Sequence, residues 1–539
     1  MPSRARPGGT RRSVPAVVAG ALVLVAFSVS LSSVDRTRFN DEELWQHRSQ
    51  QFATGLVTGD PHRLTAYDVE LDTTSTSLTM PGIPTLWVGS AVILAECAAD
   101  RAQASWSGCV QDSDGPDLPH VHLAMALLGA SLVAMLWLVG RRLLGAGTAF
   151  LACFLIATEP FLATLRTMFH TDSLVMSFSL IGFVALCRAL ELAGRERNPV
   201  ALGALAGVAL AAAALTKLSA VAVLPALVVC VAWAGARAWR RQAGPAGDRL
   251  RGLMRSRLPA VVAAAVGAGL ITVVVAWPAL VVDPARQLGA LRSSALLADE
   301  GHRQFFRGAV TMAPPWYYYL WVVAYRLTPW SFLALLAIPA TLVARRIDTR
   351  WWLFGLFTAS QLLVIAASAK KFDRYATAMI AGCLILTAVS IDLLVGDLVR
   401  ERLRNRPPRV AAAACVAGVI ALWGHALMVA DRDLTYFNPV VGGLESASGQ
   451  LMVNWGEERS VADDWLDERF GESGYVLCNV RLLGMICPPG TGPRVAVTYL
   501  SNTQRGLLTI PPEAQDSWTP IGSHRLDGVE LIRFWQETG

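Results

Sequence analysis

The chain has 539 residues, 53% hydrophobic and only 16% charged, with a mean hydropathy of +0.43 and a net charge of +6. A soluble domain of this size carries about 25% charged residues, so a single large soluble core is excluded and an all-α polytopic membrane protein is expected. The excess positive charge lies in short loops between apolar runs, where it sets topology rather than binding nucleic acid.

Residues 14–34 form the first run (VPAVVAGALVLVAFSVSLSSV), matching the roughly 20 apolar residues that a bilayer span requires. It lacks a convincing small-x-small cleavage site and many further spans follow, so it reads as an anchor rather than a removed signal. Arg4, Arg6, Arg11 and Arg12 precede it and hold the N-terminus, 1–13, on the cytoplasmic side. The acidic triplet Asp41-Glu42-Glu43 then emerges at the outer membrane surface. The outer loop 35–119 that follows contains an apolar stretch, 81–95, with Trp87; it is too short to cross and reads as an interfacial or re-entrant helix.

Further spans are expected near 120–140, 146–163, 172–191, 199–214, 218–235, 258–280, 325–344, 351–368, 375–396 and 410–429, about eleven in all by the 20-residue criterion. Arg141 and Arg142, Arg195 and Arg197, the arginines from Arg237 to Arg257, Arg345, Arg346 and Arg350, and those from Arg400 to Arg409 then all fall on the inner side, as the positive-inside rule asks. The tail, 430–539, falls outside.

Against that trend, the only lysines, Lys217, Lys370 and Lys371, all lie at outer ends of spans. Snorkelling to the interface is the bland account; binding of phosphate by point cations at membrane depth is the sharper one. Lys370 and Lys371 open KKFDRY, which also carries Arg374. Between the third and fourth spans, His170 and Asp172 sit where ionisable groups are costly unless paired or used. Asp172 as a simple helix cap is the alternative, and His170 alone is a weak sign of a metal ligand. The outer loop 282–324 holds Gly301-His302-Arg303 and the aromatic group 316–319, which reads as an interface belt, a sugar platform or both.

After Pro439 the composition turns polar. A helix over 460–470 and strands at 475–480, 494–500 and 529–535 predict a small α/β domain with no catalytic constellation of its own. Of nine cysteines, Cys97 and Cys109 and then Cys478 and Cys487 lie in outer segments. Two disulfides in an oxidising compartment are expected, because no CxxC and no nearby histidine supports zinc. No Walker motif argues for an ATP-driven pump.

In order, the chain reads FNDEELW, MPGIPTLW, FHTDSL, ALTKLSA, PPWYYYL, KKFDRY, YFNPVVGG and NWGEE. This order resembles the bacterial lipid-carrier-dependent glycosyltransferases of family 39, which are similar to protein O-mannosyltransferases and to the lipid A aminoarabinose transferase. The resemblance implies a GT-C-like fold over 14–429. It also implies a catalytic Asp at Asp41 with Glu42 beside it, a second acid at Asp172, a lysine at Lys217, and a basic segment at KKFDRY that meets the carrier lipid. Where related sequences have His, or a Glu-Lys pair, before the Pro-Gly, this chain has Met80, which leaves a divalent metal requirement open.

The expected activity is transfer of a sugar from a polyprenyl-phosphate donor to an acceptor hydroxyl on a glycan, lipid or protein, at the outer face of a bacterial plasma membrane, by inverting single displacement. Asp41 is the expected base: burial near the interface would raise its pKa, while a nearby lysine would oppose that shift. Asp172 orients the acceptor or a cation. Glu42, His170, Lys217, His302, Lys370, Lys371 and Arg374 are the expected substrate-binding residues, with the cations facing the departing phosphate. The competing reading is a non-catalytic carrier or flippase for lipid-linked sugars; the clustering of charge at one face favours an enzyme, and an inactive scaffold is a third possibility.

Overall fold

The computed structural model describes residues 13–34, 39, 41–65, 81–100, 105–193, 199–242, 244–405, 408–453, 459–471, 474–481, 484–507, 510 and 516–538. Met80, the N-terminal arginines, Arg195, Arg197 and the NWGEE segment lie outside these.

The first helices are α1 (Ser13–Ser30), α2 (Glu42–Thr58), α3 (Ile83–Ala99), α4 (Trp106–Asp112), α5 (Leu118–Leu144), α6 (Ala146–Thr158), α7 (Pro160–Thr167), α8 (Asp172–Leu192) and α9 (Val200–Thr216). The chain is a polytopic helical membrane protein: among the described residues, eight helices are long and apolar enough to cross a bilayer. All eleven expected apolar segments are helical, but three are not simple spans. The third is broken into α6 and α7, bent by 69°. The fifth, α9, has 17 residues, about 26 Å of helix against a core of about 30 Å. The eighth is two short helices, Pro329–Ala334 and Ala337–Val343. The segment 81–95 is helical from Ile83 on, forming most of α3, a shorter apolar helix of 17 residues.

Pro160 at the start of α7 explains the break, since proline cannot donate to the preceding turn. The break strands carbonyls of α6 in an apolar interior, where an unsatisfied polar group is costly. The fully buried guanidinium of Arg166 fills that need, donating to the carbonyls of Ile156 at 2.9 Å and Ala157 at 2.6 Å. Gly129 makes room for it: a Cβ there would sit 3.1 Å from the Arg166 side chain. Glu159, at the corner, accepts from the backbone N–H of Thr328 at 2.8 Å and from its hydroxyl at 2.9 Å. The corner thereby directs the following turn, Thr167 to Thr171, back into the bundle.

Small residues let α9 approach the helix Arg257–Ala276 closely. A Cβ on Gly207 would lie 1.9 Å from the carbonyl oxygen of Ala265, so only glycine fits. Such backbone-to-backbone contact is how helices associate where lipid removes the hydrophobic drive.

The loop 282–324 is more ordered than its sequence suggested. It holds a helix, Pro284–Asp299, and a hairpin of β1 (Gln304–Phe306) and β2 (Ala309–Thr311). Of the aromatic group, Tyr318 and Tyr319 are buried and Trp316 is exposed.

Among its described residues the tail forms the helix Arg459–Phe470, the short helices Gly443–Ser448 and Leu500–Gln504, and five strands: β3 (Val476–Arg481), β4 (Gly484–Ile486), β5 (Arg494–Tyr499), β6 (Trp518–Leu526) and β7 (Val529–Glu537). The sheet order is β4-β3-β5-β7-β6, with β3 and β5 parallel and the other pairs antiparallel. Trp465 of the helix stacks on Phe534 of β7, with ring centres 3.9 Å apart. Both expected disulfides are present, Cys97–Cys109 between α3 and α4 and Cys478–Cys487 across the β3–β4 hairpin. The other five cysteines are free thiols.

Candidate active site

Asp41, His170, Asp172, Lys217, His302, Lys370 and Arg374 come from five chain segments and meet at one end of the bundle. Asp41 is the N-cap residue of α2, yet its side chain makes no capping bond. The carboxylate is 42% exposed and receives a hydrogen bond of 3.0 Å from Arg374 Nη2. His170 Nε2 lies 3.5 Å from the same oxygen. On the other side of that ring, Nδ1 lies 2.8 Å from Asp172 Oδ2. One imidazole therefore bridges the two carboxylates, with its ring edge against Trp45.

Asp172 is not a cap. The N-cap residue of α8 is Thr171, without a side-chain capping bond. The buried Asp172 carboxylate instead pairs with Lys217 Nζ at 2.5 Å, and Arg374 Nε lies 3.8 Å away. Lys217, where α9 gives way to extended backbone, rests its ammonium 4.2 Å from the centre of the Tyr375 ring. Removing one partner from such a buried pair costs about 3–5 kcal/mol, because the other charge is left uncompensated.

Three of the expected substrate-binding residues need correction. Glu42 does not face Asp41's surroundings. Only 1% exposed, its carboxylate accepts from the backbone N–H of Phe39 at 3.0 Å, from the N–H of Phe169 at 2.8 Å and lies 2.8 Å from His122 Nε2. With two backbone donors and an imidazole on its two oxygens, it is committed to holding the turns on either side of the site. Lys371 is buried and donates to the carbonyl of Ser368 in its own turn. Lys217 is the internal counter-ion of Asp172 rather than an open phosphate ligand. Lys370 remains beside the site, its ammonium 5.8 Å from the centre of the Phe372 ring. His302 packs against the same ring at 5.3 Å.

The electrostatics reverse one expectation. Burial by itself would raise the pKa of Asp41, but the Arg374 guanidinium, and after it His170, hold the carboxyl well below its usual range. His302 is pushed down to about 4, by burial first and then by Lys370, Arg505 and Arg374. Lys370 is lowered by burial and by Arg374. Asp41 opposes both downward shifts without reversing them, and among the described residues no carboxylate lies within ion-pair distance of Lys370.

Sequence reasoning missed His122 and Arg505. His122 could have been found as His170 was, being an imidazole near the start of an apolar span. Its Nδ1 lies 2.9 Å from the Val34 carbonyl, which fixes the ring between the end of the first span and Glu42. Arg505 carried no local signal at all. Among the described residues, one group of acidic and imidazole side chains is close enough to share a metal ion: Glu96, Asp117 and His120. It lies at the surface, with His120 and Asp117 more than half exposed.

Residues 115–247 match the family model described as dolichyl-phosphate-mannose-protein mannosyltransferase. That segment carries His122, His170, Asp172 and Lys217, and the family is one that the motif order pointed to. No curated protein matches the chain. Among solved structures, the chain is similar to ArnT from Cupriavidus metallidurans bound to undecaprenyl phosphate, with 14% identity over 96% of this chain and 97% of that one, at a TM-score of 0.45. It is also similar to the Archaeoglobus fulgidus oligosaccharyltransferase tethered with an acceptor peptide, with 14% identity over 78% of this chain and 55% of that one, at a TM-score of 0.48.

Proposed function

We propose that this chain is a membrane glycosyltransferase that moves a sugar from a polyprenyl-phosphate carrier to an acceptor hydroxyl by single displacement with inversion. The observation that carries this reading is the position of Asp41. It is a half-exposed carboxylate, held by Arg374 and His170 at the rim of a buried Asp172–Lys217 pair, at one end of a membrane bundle. The family match over 115–247 supports the same class.

In this reading the acceptor oxygen bonds to the anomeric carbon while the bond from that carbon to the phosphate oxygen breaks. The acceptor proton passes to Asp41, and the carrier phosphate leaves with the electron pair. Lys370 and Arg374 neutralise the departing charge. A phosphate leaving group needs no protein nucleophile, so one displacement suffices. In the resting site Asp41 is a weak base because Arg374 stabilises its ionised form. An incoming phosphate competes for that guanidinium, and a carboxylate relieved of a cation becomes more basic. His170 and Asp172 keep the geometry fixed while the guanidinium shares its hydrogen bonds.

By the positive-inside argument the site opens on the outer face of the membrane, with the N-terminus inside and the sheet region of the tail outside. The donor is a polyprenyl-phosphate hexose or pentose, and the acceptor is a glycan, lipid or protein. The purified protein, incubated with radiolabelled polyprenyl-phosphate mannose and cell membranes, tests the class of activity. Transfer of label into membrane material is expected. Binding of the donor without any transfer, repeated with pentose donors, would instead support a carrier.

A further inference from the structure

Among the described residues of the C-terminal segment, Arg505 reaches His302 beside the site. Arg505 follows the short helix Leu500–Gln504 and is held from both sides. Its Nε donates to the Ser501 carbonyl at 3.1 Å and its Nη2 to Asn502 Oδ1 at 2.7 Å. The remaining nitrogen, Nη1, lies 3.5 Å from His302 Nε2. His302 is itself anchored, its backbone N–H donating to the Met312 carbonyl at 3.1 Å. Gly301 before it adopts a φ of +78°, and a Cβ there would meet that carbonyl at 2.4 Å.

Phe372 is the hub of this cluster. Its ring carries His302 at 5.3 Å, Lys370 at 5.8 Å and Arg374 at 5.5 Å. Arg374 is neutralised by Asp41 and Asp172. Among the described residues, neither Lys370 nor Arg505 has a carboxylate partner. Two cations with no carboxylate within ion-pair distance therefore flank one imidazole, Lys370 feeling Asp41 only from further off. The depressed pKa of His302 reports the same crowding of positive charge.

We propose that Arg505, with Lys370 and His302, forms an oxyanion subsite of the phosphate class, so that the C-terminal segment supplies a binding residue to the transferase site. This rests on the reading given under Proposed function. A guanidinium presenting Nη1 and an ammonium suit a tetrahedral oxyanion, and His302 adds a hydrogen bond. Two sources offer that chemistry: the phosphate of the carrier lipid, or an anionic group on the acceptor.

Binding can be tested without turnover, which separates failure of this subsite from failure of the transferase reading. The full-length protein in detergent would be titrated with undecaprenyl phosphate and, separately, with inorganic phosphate. Arg505→Gln keeps a donor near the Ser501 and Asn502 oxygens while removing the charge, and its melting temperature reports folding. Arg494→Gln is the control, an exposed arginine paired with Glu537 on the sheet. Losing one charge-assisted bond should weaken binding about tenfold or more. If undecaprenyl phosphate weakens by that factor and displaces inorganic phosphate, the subsite serves the carrier. If Arg505→Gln weakens only inorganic phosphate, and undecaprenyl phosphate does not displace it, the subsite serves an acceptor anion. Unchanged affinity for both probes, in a variant that melts like the parent, would overturn the proposal.

Discussion

Neighbouring residues in this chain have opposite fates. Asp41 and Glu42 are adjacent at the start of α2, where successive side chains diverge by about 100°. One therefore meets the site and the other the interior. Lys370 and Lys371 also part, on the non-helical stretch between Ala367 and Asp373, where Lys371 is buried and Lys370 lies beside the site. Sequence motifs flagged both members of each pair, and only geometry separates them. Asp41, Asp172, Lys217 and Arg374 were legible because an ionisable group at the end of an apolar span must find a partner; which partner it finds is a tertiary matter. Replacing Glu42 with Gln puts an amide NH2 where an oxygen accepts from the Phe39 or the Phe169 N–H. The expected loss is about 1–3 kcal/mol of stability, the cost of a buried unsatisfied group, read as a lowered melting temperature together with reduced turnover. His122→Ala should weaken the same turn, and an unchanged melting temperature in both variants would contradict this role for Glu42. The sign of the Asp41 shift also has a kinetic consequence. A carboxyl whose pKa lies below the usual 3.8 stays ionised as pH falls. Asp41 should therefore contribute no acid limb to kcat/KM above about pH 4, because that profile reports the free enzyme. A limb near pH 6 that vanishes in Asp41→Asn would show the raised pKa that the sequence suggested.

Among elements, the broken third span matters most for the site. Pro160 was visible in the sequence, but a proline at a helix start and a proline at a corner look alike without neighbours. What makes this a corner is Arg166, whose guanidinium serves the carbonyls exposed by the break. Arg166→Leu is expected to leave both carbonyls unsatisfied and to cost about 2–6 kcal/mol, on the basis of about 1–3 for each group. The measurement is the yield and thermal stability of the purified protein; a variant as stable as the parent would show that water or relaxation serves the corner instead. The helix Pro284–Asp299 was missed although its start was written in the chain: Asp283 accepts from the Arg286 N–H at 3.3 Å, next to Pro284. An Asp-Pro start was legible, and its placement in a long polar loop hid it. β4 has three residues, too few for an alternating pattern to register.

For the whole molecule, composition alone gave the membrane class, because hydropathy and charge content are properties of the entire chain. Composition could not report how the tail docks. Gln504 donates to the Ser448 and Leu451 carbonyls at 2.7 and 3.1 Å and accepts from the Val453 N–H at 2.9 Å. Arg432 pairs with Asp527, and Arg459 with Glu43 at 3.4 Å; as exposed pairs these contribute about 0–1 kcal/mol each. Gln504 thus ties its short helix to the stretch 448–453 within the tail, and that stretch meets the rest of the chain where Gln450 accepts from the Arg307 N–H at 2.9 Å and from Trp321 Nε1 at 3.3 Å, which brings Arg505 to His302. The most direct test of the account compares Asp41→Asn with the parent at saturating polyprenyl-phosphate sugar. Transfer should fall by about 10²–10⁴, the usual contribution of a general base, while the affinity for polyprenyl phosphate is retained. Undiminished transfer by that variant would contradict the account.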